Sequence, residues 1–159
     1  MPPPNTPELA TATAYPSSTA IYAGALRSGD ASRLRSDNDS YYQVSSTTSG
    51  TRTSDWYAVT TSVSNALTSL KVTYKGKSSA SCSQTLWVYN WTAGYWVQLD
   101  GRTVGTSEGS VTVAPSGTLA DYVSGASGDG DVAVRVRCTR SDSTSFYASG
   151  DLMKVVYEK

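Results

Sequence analysis

The chain of 159 residues has no histidine, two cysteines, two methionines, one phenylalanine and no apolar run of bilayer length. Each shortage closes off a chemistry. Without histidine there is no Ser-His-Asp triad, no Cys-His dyad and no imidazole-bound metal. Two cysteines are too few for a zinc cluster. A transmembrane helix needs about 20 consecutive apolar residues, so no helix of this chain is expected to cross a membrane. No Gly-rich loop leads from a strand into a helix to hold phosphate. Glutamate is scarce too, with only Glu8, Glu108 and Glu158. A pair of carboxylates suffices for glycoside hydrolysis, but these three fall in a tail, a turn and the chain terminus. No catalytic residue and no enzymatic activity are expected.

Charge is thin and balanced. Charged residues make up 16% of the chain, against roughly 25% in an average soluble domain. Thirteen basic residues offset thirteen acidic ones, which argues against nucleic acid as a partner, since its phosphates call for a basic patch. Serine and threonine fill the gap, a composition that suits a secreted, extracellular protein. Met1 is followed by Pro2-Pro3-Pro4 rather than by a charged and then apolar stretch, so a cleavable leader is not expected at this end. The length suits one domain, burying about two-thirds of its unfolded surface.

Residues 1–18 are rich in Pro, Thr and Ala without periodicity. They read as an extended linker or arm, either inert or able to add a strand to a neighbour. From Thr19 onward the signals are short strands: Thr19–Leu26, Ser40–Thr47, Trp56–Val63, Ser69–Lys77, a hairpin over 83–100, Arg102–Thr106, Ser110–Val113, Asp131–Thr139 and Leu152–Tyr157. The one helix-compatible patch lies around Leu119–Tyr122. Strands at such spacing, joined by Gly, Ser and Asp turns, indicate an all-β sandwich or barrel. No longer period repeats, which excludes a solenoid or propeller.

The stretch Cys82–Asp100, CSQTLWVYNWTAGYWVQLD, holds three of the four tryptophans and one cysteine. Two alternating runs flank Trp91-Thr92-Ala93-Gly94, which reads as a β-hairpin. The two cysteines are either unrelated buried thiols or a disulfide, Cys82–Cys138, formed in an oxidising compartment. The composition favours the disulfide, which in the loop-entropy picture contributes about 4 kcal/mol.

The disulfide carries an implication for the aromatics. In Asp131–Thr139, Val132, Val134, Val136 and Cys138 share one face and Arg135 and Arg137 the other, so the valine face is the core. If Cys82 meets Cys138 there, Gln84, Leu86 and Val88 also point inward. Trp87, Tyr89 and Trp91 then face outward; across the turn Val97, Leu99 and Tyr95 face in and Trp96 faces out. An outward stripe of indoles marks a binding face, with Asn90, Gln98 and Asp100 placed to hydrogen-bond sugar hydroxyls. The competing reading is that one bulge after Gln84 flips the register and packs the indoles into the core. Arg135 and Arg137 stack on the same rings if their strands are neighbours.

Two loops are dense in carboxylates: Asp37 and Asp39 before the strand at Tyr41, and Asp129 and Asp131 before the core strand. Such oxygens suit a structural calcium, although Asp-Gly-Asp is also ordinary turn chemistry. No other cofactor is called for. Asn38-Asp39-Ser40 and Asn90-Trp91-Thr92 match the N-glycosylation pattern, which matters only in a host that glycosylates.

Together, SDNDSYYQV (36–44), TSDWYAV (53–59), LKVTYKGKSSASCSQTLWVYNWT (70–92), WVQLDGRTVG (96–105) and SGDGDVAVRVRCTRS (127–141) resemble the β-sandwich accessory modules of bacterial secreted multidomain proteins. The resemblance spans roughly residues 15–158. It implies a jelly-roll, galactose-binding-like domain of the kind attached to polysaccharide-acting enzymes. The resulting expectation is an antiparallel, jelly-roll-like β-sandwich over residues 19–159, with about 8–10 strands and one disulfide. The leading function is a non-catalytic carbohydrate-binding accessory module that holds a parent protein near polysaccharide. Trp87, Trp91 and Trp96 would stack on sugar rings, with Tyr89 and Asn90 in support. The alternative is a structural or adhesive module using the same face, and the N-terminal arm, for protein contacts.

Overall fold

Runs of β-branched and aromatic residues, cut by turns of Gly, Ser and Asp, give eleven strands among the residues that the computed structural model describes, 11–125 and 128–159. They are β1 (Thr11–Ala14), β2 (Pro16–Ala23), β3 (Ala25–Ser28), β4 (Tyr42–Ser45), β5 (Arg52–Ser64), β6 (Ser69–Ser78), β7 (Cys82–Asn90), β8 (Tyr95–Val104), β9 (Gly109–Val113), β10 (Asp129–Arg140) and β11 (Tyr147–Glu158). Short 3-10 turns form at Ala31–Leu34 and at Leu119–Tyr122, the second being the helix-compatible patch. One sheet runs β3-β4-β11-β6-β9, with β1 added along the far half of β11; the other runs β2-β5-β10-β7-β8. Every strand pair is antiparallel. The fold is the expected antiparallel sandwich.

The sandwich begins earlier than composition suggested. Residues 11–14 pair with 155–158, and β2 opens at Pro16 against β5, so 11–14 and 16–18 are sheet rather than linker. These strands sit at sheet margins and stay half-exposed, so no apolar alternation betrays them. The rest of the expected arm, 1–10, lies outside the described residues. At Gly24 the chain leaves one sheet for the other with φ +99°, and a Cβ there would collide with the Ser45 carbonyl. Only glycine meets both demands.

Between the sheets lies one apolar core. Fully buried Trp56 of β5 packs edge-on against Tyr42 and Tyr74, at ring distances of 4.9 and 5.9 Å. Val132, Val134 and Val136 of β10 join it from one sheet, and Val44, Val72 and Val155 from the other. Each such side chain contributes about 1.5–3 kcal/mol on burial. A smaller cluster of Cys82, Val104, Cys138 and Phe146 closes one end. Here the Cys82–Cys138 disulfide, with Cα atoms 5.6 Å apart, joins neighbouring strands β7 and β10.

Candidate ligand-binding face

Alternation decides which side chains leave the core. Leu86 and Val88 point inward, so Trp87 and Tyr89 point outward from β7. By the same parity Tyr57 leaves β5 next to buried Trp56, and Ala133 and Arg135 leave β10. Strand order then sets them side by side. Tyr57, Arg135 and Trp87 form one cross-strand row, and Tyr89 lies directly opposite Trp96.

Five rings from four strands and the hairpin turn make a continuous patch. Trp96 lies 5.1 Å from Tyr89, 5.7 Å from Tyr57 and 6.3 Å from Tyr22, ring centre to ring centre. Trp91 sits 5.0 Å from Tyr89, and Tyr22 5.1 Å from Tyr57. These contacts are tilted or edge-on, as ring quadrupoles prefer. The Trp96 indole N–H also donates to the Tyr22 hydroxyl at 3.3 Å. Tyr22 reaches the patch because it is the extra residue of a bulge between Ile21 and Ala23, which swings it over Tyr57. The short side chains of Val59 and Ala133 among these rings leave a shallow depression of about 300 Å³. Water still reaches much of it: Tyr22 is 54% exposed and Trp91 38%.

Beneath the rings lies an ion pair. The Arg135 guanidinium grips Asp55 with both arms, Nε donating at 2.7 Å, and Arg137 approaches the same carboxylate at 3.8 Å. Arg135 lies 4.7 Å from the Tyr22 ring centre, 5.8 Å from Trp96 and 5.9 Å from Trp87. Asp55 thus holds the cation that braces the patch. Among the described residues, Asp131 is the one charged side chain lining the depression.

The expected binding residues are only partly together. Tyr89, Trp91 and Trp96 meet in the patch. Trp87 shares the face but lies beside Arg135, its indole N–H donating to the Thr85 hydroxyl at 2.9 Å. Asn90 accepts the Ala93 N–H at 2.9 Å and so closes the hairpin turn. Asp100 binds its neighbour Arg102 at 2.7 Å, and the Gln98 amide turns to the Asp100 carbonyl. Tyr95, expected inside, is 59% exposed, because burial fades along edge strand β8, where Val97 and Leu99 are only partly buried. Tyr22 and Tyr57 were not expected here. Tyr57 was signalled by its parity against Trp56; a bulge hid Tyr22.

The carboxylates regroup in a way the sequence pairs did not anticipate. Asp131 faces the aromatic depression, and Asp129 joins no acidic cluster among the described residues. Asp37 and Asp39 instead meet Glu108 and Asp151, with carboxylate oxygens of all four residues within 4.8 Å of one another. The loop between Arg35 and Tyr42 supplies the first two, with Asp39 in the left-handed region at φ 59°. Glu108 stands just before β9. Asp151 occupies a bulge of β11 between Gly150 and Leu152, which turns it inward to complete burial. Burial, and after it the adjoining Asp37, push the Asp151 carboxyl above its ordinary value. Lys75 binds Asp37 at 2.8 Å and Glu108 at 3.2 Å, and its ammonium holds the Asp37 carboxyl below its ordinary value.

No family model and no curated protein matches the chain. Among solved structures it is similar to TmCBM61 in complex with β-1,4-galactotriose, at 6% identity and TM-score 0.46, covering 97% of this chain and 90% of that one. It is also similar to CBM86, a low-affinity xylan-binding module from Roseburia intestinalis, at 14% identity and TM-score 0.48, with 94% and 96% covered. A third is the CBM36-1 domain of a multidomain xylanase from the hindgut metagenome of Trinervitermes trinervoides, at 13% and 0.47, with 92% and 96% covered. These neighbours are β-sandwich carbohydrate-binding modules. At such scores and identities the likeness transfers no ligand and no residue role to this chain.

Proposed function

We propose that this domain is a non-catalytic, extracellular carbohydrate-binding module whose platform is the outer face of the β2-β5-β10-β7-β8 sheet. Trp91, Trp96 and Tyr89, with Tyr22 and Tyr57, take the apolar faces of sugar rings. Trp87 extends the stripe, Asn90 shapes the turn that presents Trp91, and Asp131 accepts hydrogen bonds from hydroxyls. One observation carries the reading: five rings, braced by one another and by the Arg135–Asp55 pair, remain open to water on a sheet face. An exposed aromatic patch of this kind marks a recognition surface. Rings already fixed in place lose little freedom when a ligand arrives, which favours binding. The disulfide suits an oxidising, extracellular setting.

The test is acrylamide quenching of tryptophan fluorescence with soluble xylan, β-1,4-galactan and cello-oligosaccharides, followed by retention on the matching insoluble polymers. Buried Trp56 gives a constant background, while Trp91 and Trp96 are quenched until a glycan shields them. Trp96→Ala removes the central ring and is expected to cost about 2 kcal/mol, roughly thirtyfold in affinity, with the melting temperature little changed. A folded wild type indifferent to a broad panel of polysaccharides, yet assembling with concentration through Trp96, would make the face a protein-binding one instead.

A further inference from the structure

The sheet opposite the aromatic platform carries a second concavity, of different chemistry. Two depressions of about 290 and 320 Å³ share Ser79 and Tyr147 in their walls and so adjoin as one trough. Strand pairing builds it. Gln43 of β4, Ser149 of β11 and Lys77 of β6 form a cross-strand row, in which the short Ser149 leaves a low floor between two long neighbours. The Gln43 amide donates to the Ser149 hydroxyl at 3.1 Å. Arg27 is the extra residue of a bulge between Leu26 and Ser28, which sets it over the Tyr147 ring. Each depression thus has a cation seated on a ring. The Arg27 guanidinium stands 3.9 Å from the Tyr147 ring centre, and the Lys77 ammonium 4.7 Å from that of Tyr41.

Among the described residues no carboxylate lines either depression. Lys75, Arg102, Arg135 and Arg140 each meet an acidic partner, whereas Arg27 and Lys77 meet none among the described residues. Glu108 and Asp39 stand at the Tyr41 hydroxyl, outside the lining, and Lys75 offsets Glu108 from 3.2 Å. Apart from the rings, the cations, Gln43 and buried Phe146, the lining is serine and threonine, whose hydroxyls both donate and accept. Cations without a counter-charge ask for anionic groups, and the hydroxyls between them ask for a hydroxylated ligand. An acidic peptide would match the charge but would find few apolar pockets for anchoring side chains. We propose that this trough is a second saccharide site, specific for chains that bear uronic acid carboxylates. The Arg27 fork and the Lys77 ammonium receive the carboxylates, and the serine and threonine hydroxyls pair with those of the sugar. Cations already held on rings lose little freedom when the chain arrives. The site stands on the other sheet and does not rest on neutral glycan binding at the aromatic face.

Calorimetric titration of oligogalacturonate into the full chain, with the carboxyl-reduced oligosaccharide as neutral control, decides the matter. One saturable site is expected for the acidic chain, weakening as salt rises, with roughly tenfold or lower affinity for the neutral one. Arg27→Gln and Lys77→Gln, at positions that face away from the core, should each weaken oligogalacturonate binding roughly tenfold. Arg27→Lys keeps the charge but loses the two-pronged geometry, and should fall between wild type and Arg27→Gln. Lys71→Gln removes an exposed cation elsewhere on β6 and should change nothing. Trp96→Ala, on the other sheet, should leave oligogalacturonate binding intact whether or not the aromatic face binds neutral glycan. No heat at about 1 mM oligogalacturonate would overturn the proposal, as would equal affinity for the carboxyl-reduced chain or loss of binding in Trp96→Ala. Equal losses in Lys71→Gln and Lys77→Gln would reduce the effect to diffuse charge attraction and overturn the site. Equally tight binding of a polyglutamate peptide of matched charge would overturn its assignment to saccharide.

Discussion

Replacing Arg135 with methionine tests the idea that one buried ion pair holds up the aromatic platform. The Asp55 side chain is only 5% exposed and receives a two-armed grip from Arg135, itself 21% exposed. Methionine keeps most of the aliphatic stem but leaves the carboxylate without its principal cation. Breaking a buried pair from one side costs about 3–5 kcal/mol. Arg137, 3.8 Å from the same oxygen but 46% exposed, compensates only weakly. The expected loss is therefore near the lower bound, about 3 kcal/mol. For a domain of this size that lowers the melting temperature by roughly 6–12 °C. Urea unfolding followed by circular dichroism at constant m-value measures it. The double variant Asp55→Leu/Arg135→Met removes both charges and should recover most of the loss. It should nevertheless bind glycan more weakly than wild type, because Tyr22 and Trp96 lose the guanidinium beneath them. A single-variant cost below about 1 kcal/mol, the value of an exposed pair, would refute the reasoning, as would a double variant no better than the single.

Two further outcomes follow from the packing. Cys82→Ser/Cys138→Ser, or reduction of the intact domain, opens a 56-residue loop and should lower stability by about 4 kcal/mol, read from denaturation with and without reductant; an unchanged midpoint would deny the bond a stabilising role. Gly76→Ala forces a methyl onto the Ser149 carbonyl and the Tyr74 hydroxyl at the β11 bulge, which should cost about 1–3 kcal/mol in urea unfolding, whereas Gly105→Ala, with open space around it and no left-handed backbone, should leave the midpoint nearly unchanged; equal midpoints for the two variants would refute the close approach at Gly76.

How much of this was written in the chain depends on the range of the interaction. A strand's two faces follow from its own alternation, so Val132, Val134, Val136 and Cys138 announced the inner face of β10 without any partner in view. Because a disulfide requires both cysteines on the same side, that inner face carried over to Cys82 and so to the hairpin, sending Trp87, Tyr89 and Trp96 outward. Side-chain parity has a period of two residues and survives translation into three dimensions wherever no bulge intervenes.

Bulges and strand order defeat it. Tyr22 and Asp151 both owe their positions to an extra residue in a strand, a local irregularity that sequence alternation does not encode. Tyr57 pointed outward by parity, but only the order β2-β5-β10-β7-β8 brought it to Trp96, 39 residues away along the chain. The same long-range pairing divided the two acidic sequence pairs, keeping Asp37 and Asp39 for Glu108 and Asp151 and leaving Asp131 beside the rings. Residues 11–14 and 16–18 became strands because β11 and β5 offered them unpaired edges, a stabilisation supplied by partners far along the chain. The sequence alone thus determined an all-β fold and the inner face of β10, and it favoured the disulfide, while the outward turn of the hairpin indoles stayed conditional on a register free of a bulge after Gln84. Tertiary structure decided which side chains became neighbours, since a β-sheet draws its neighbours from distant sequence.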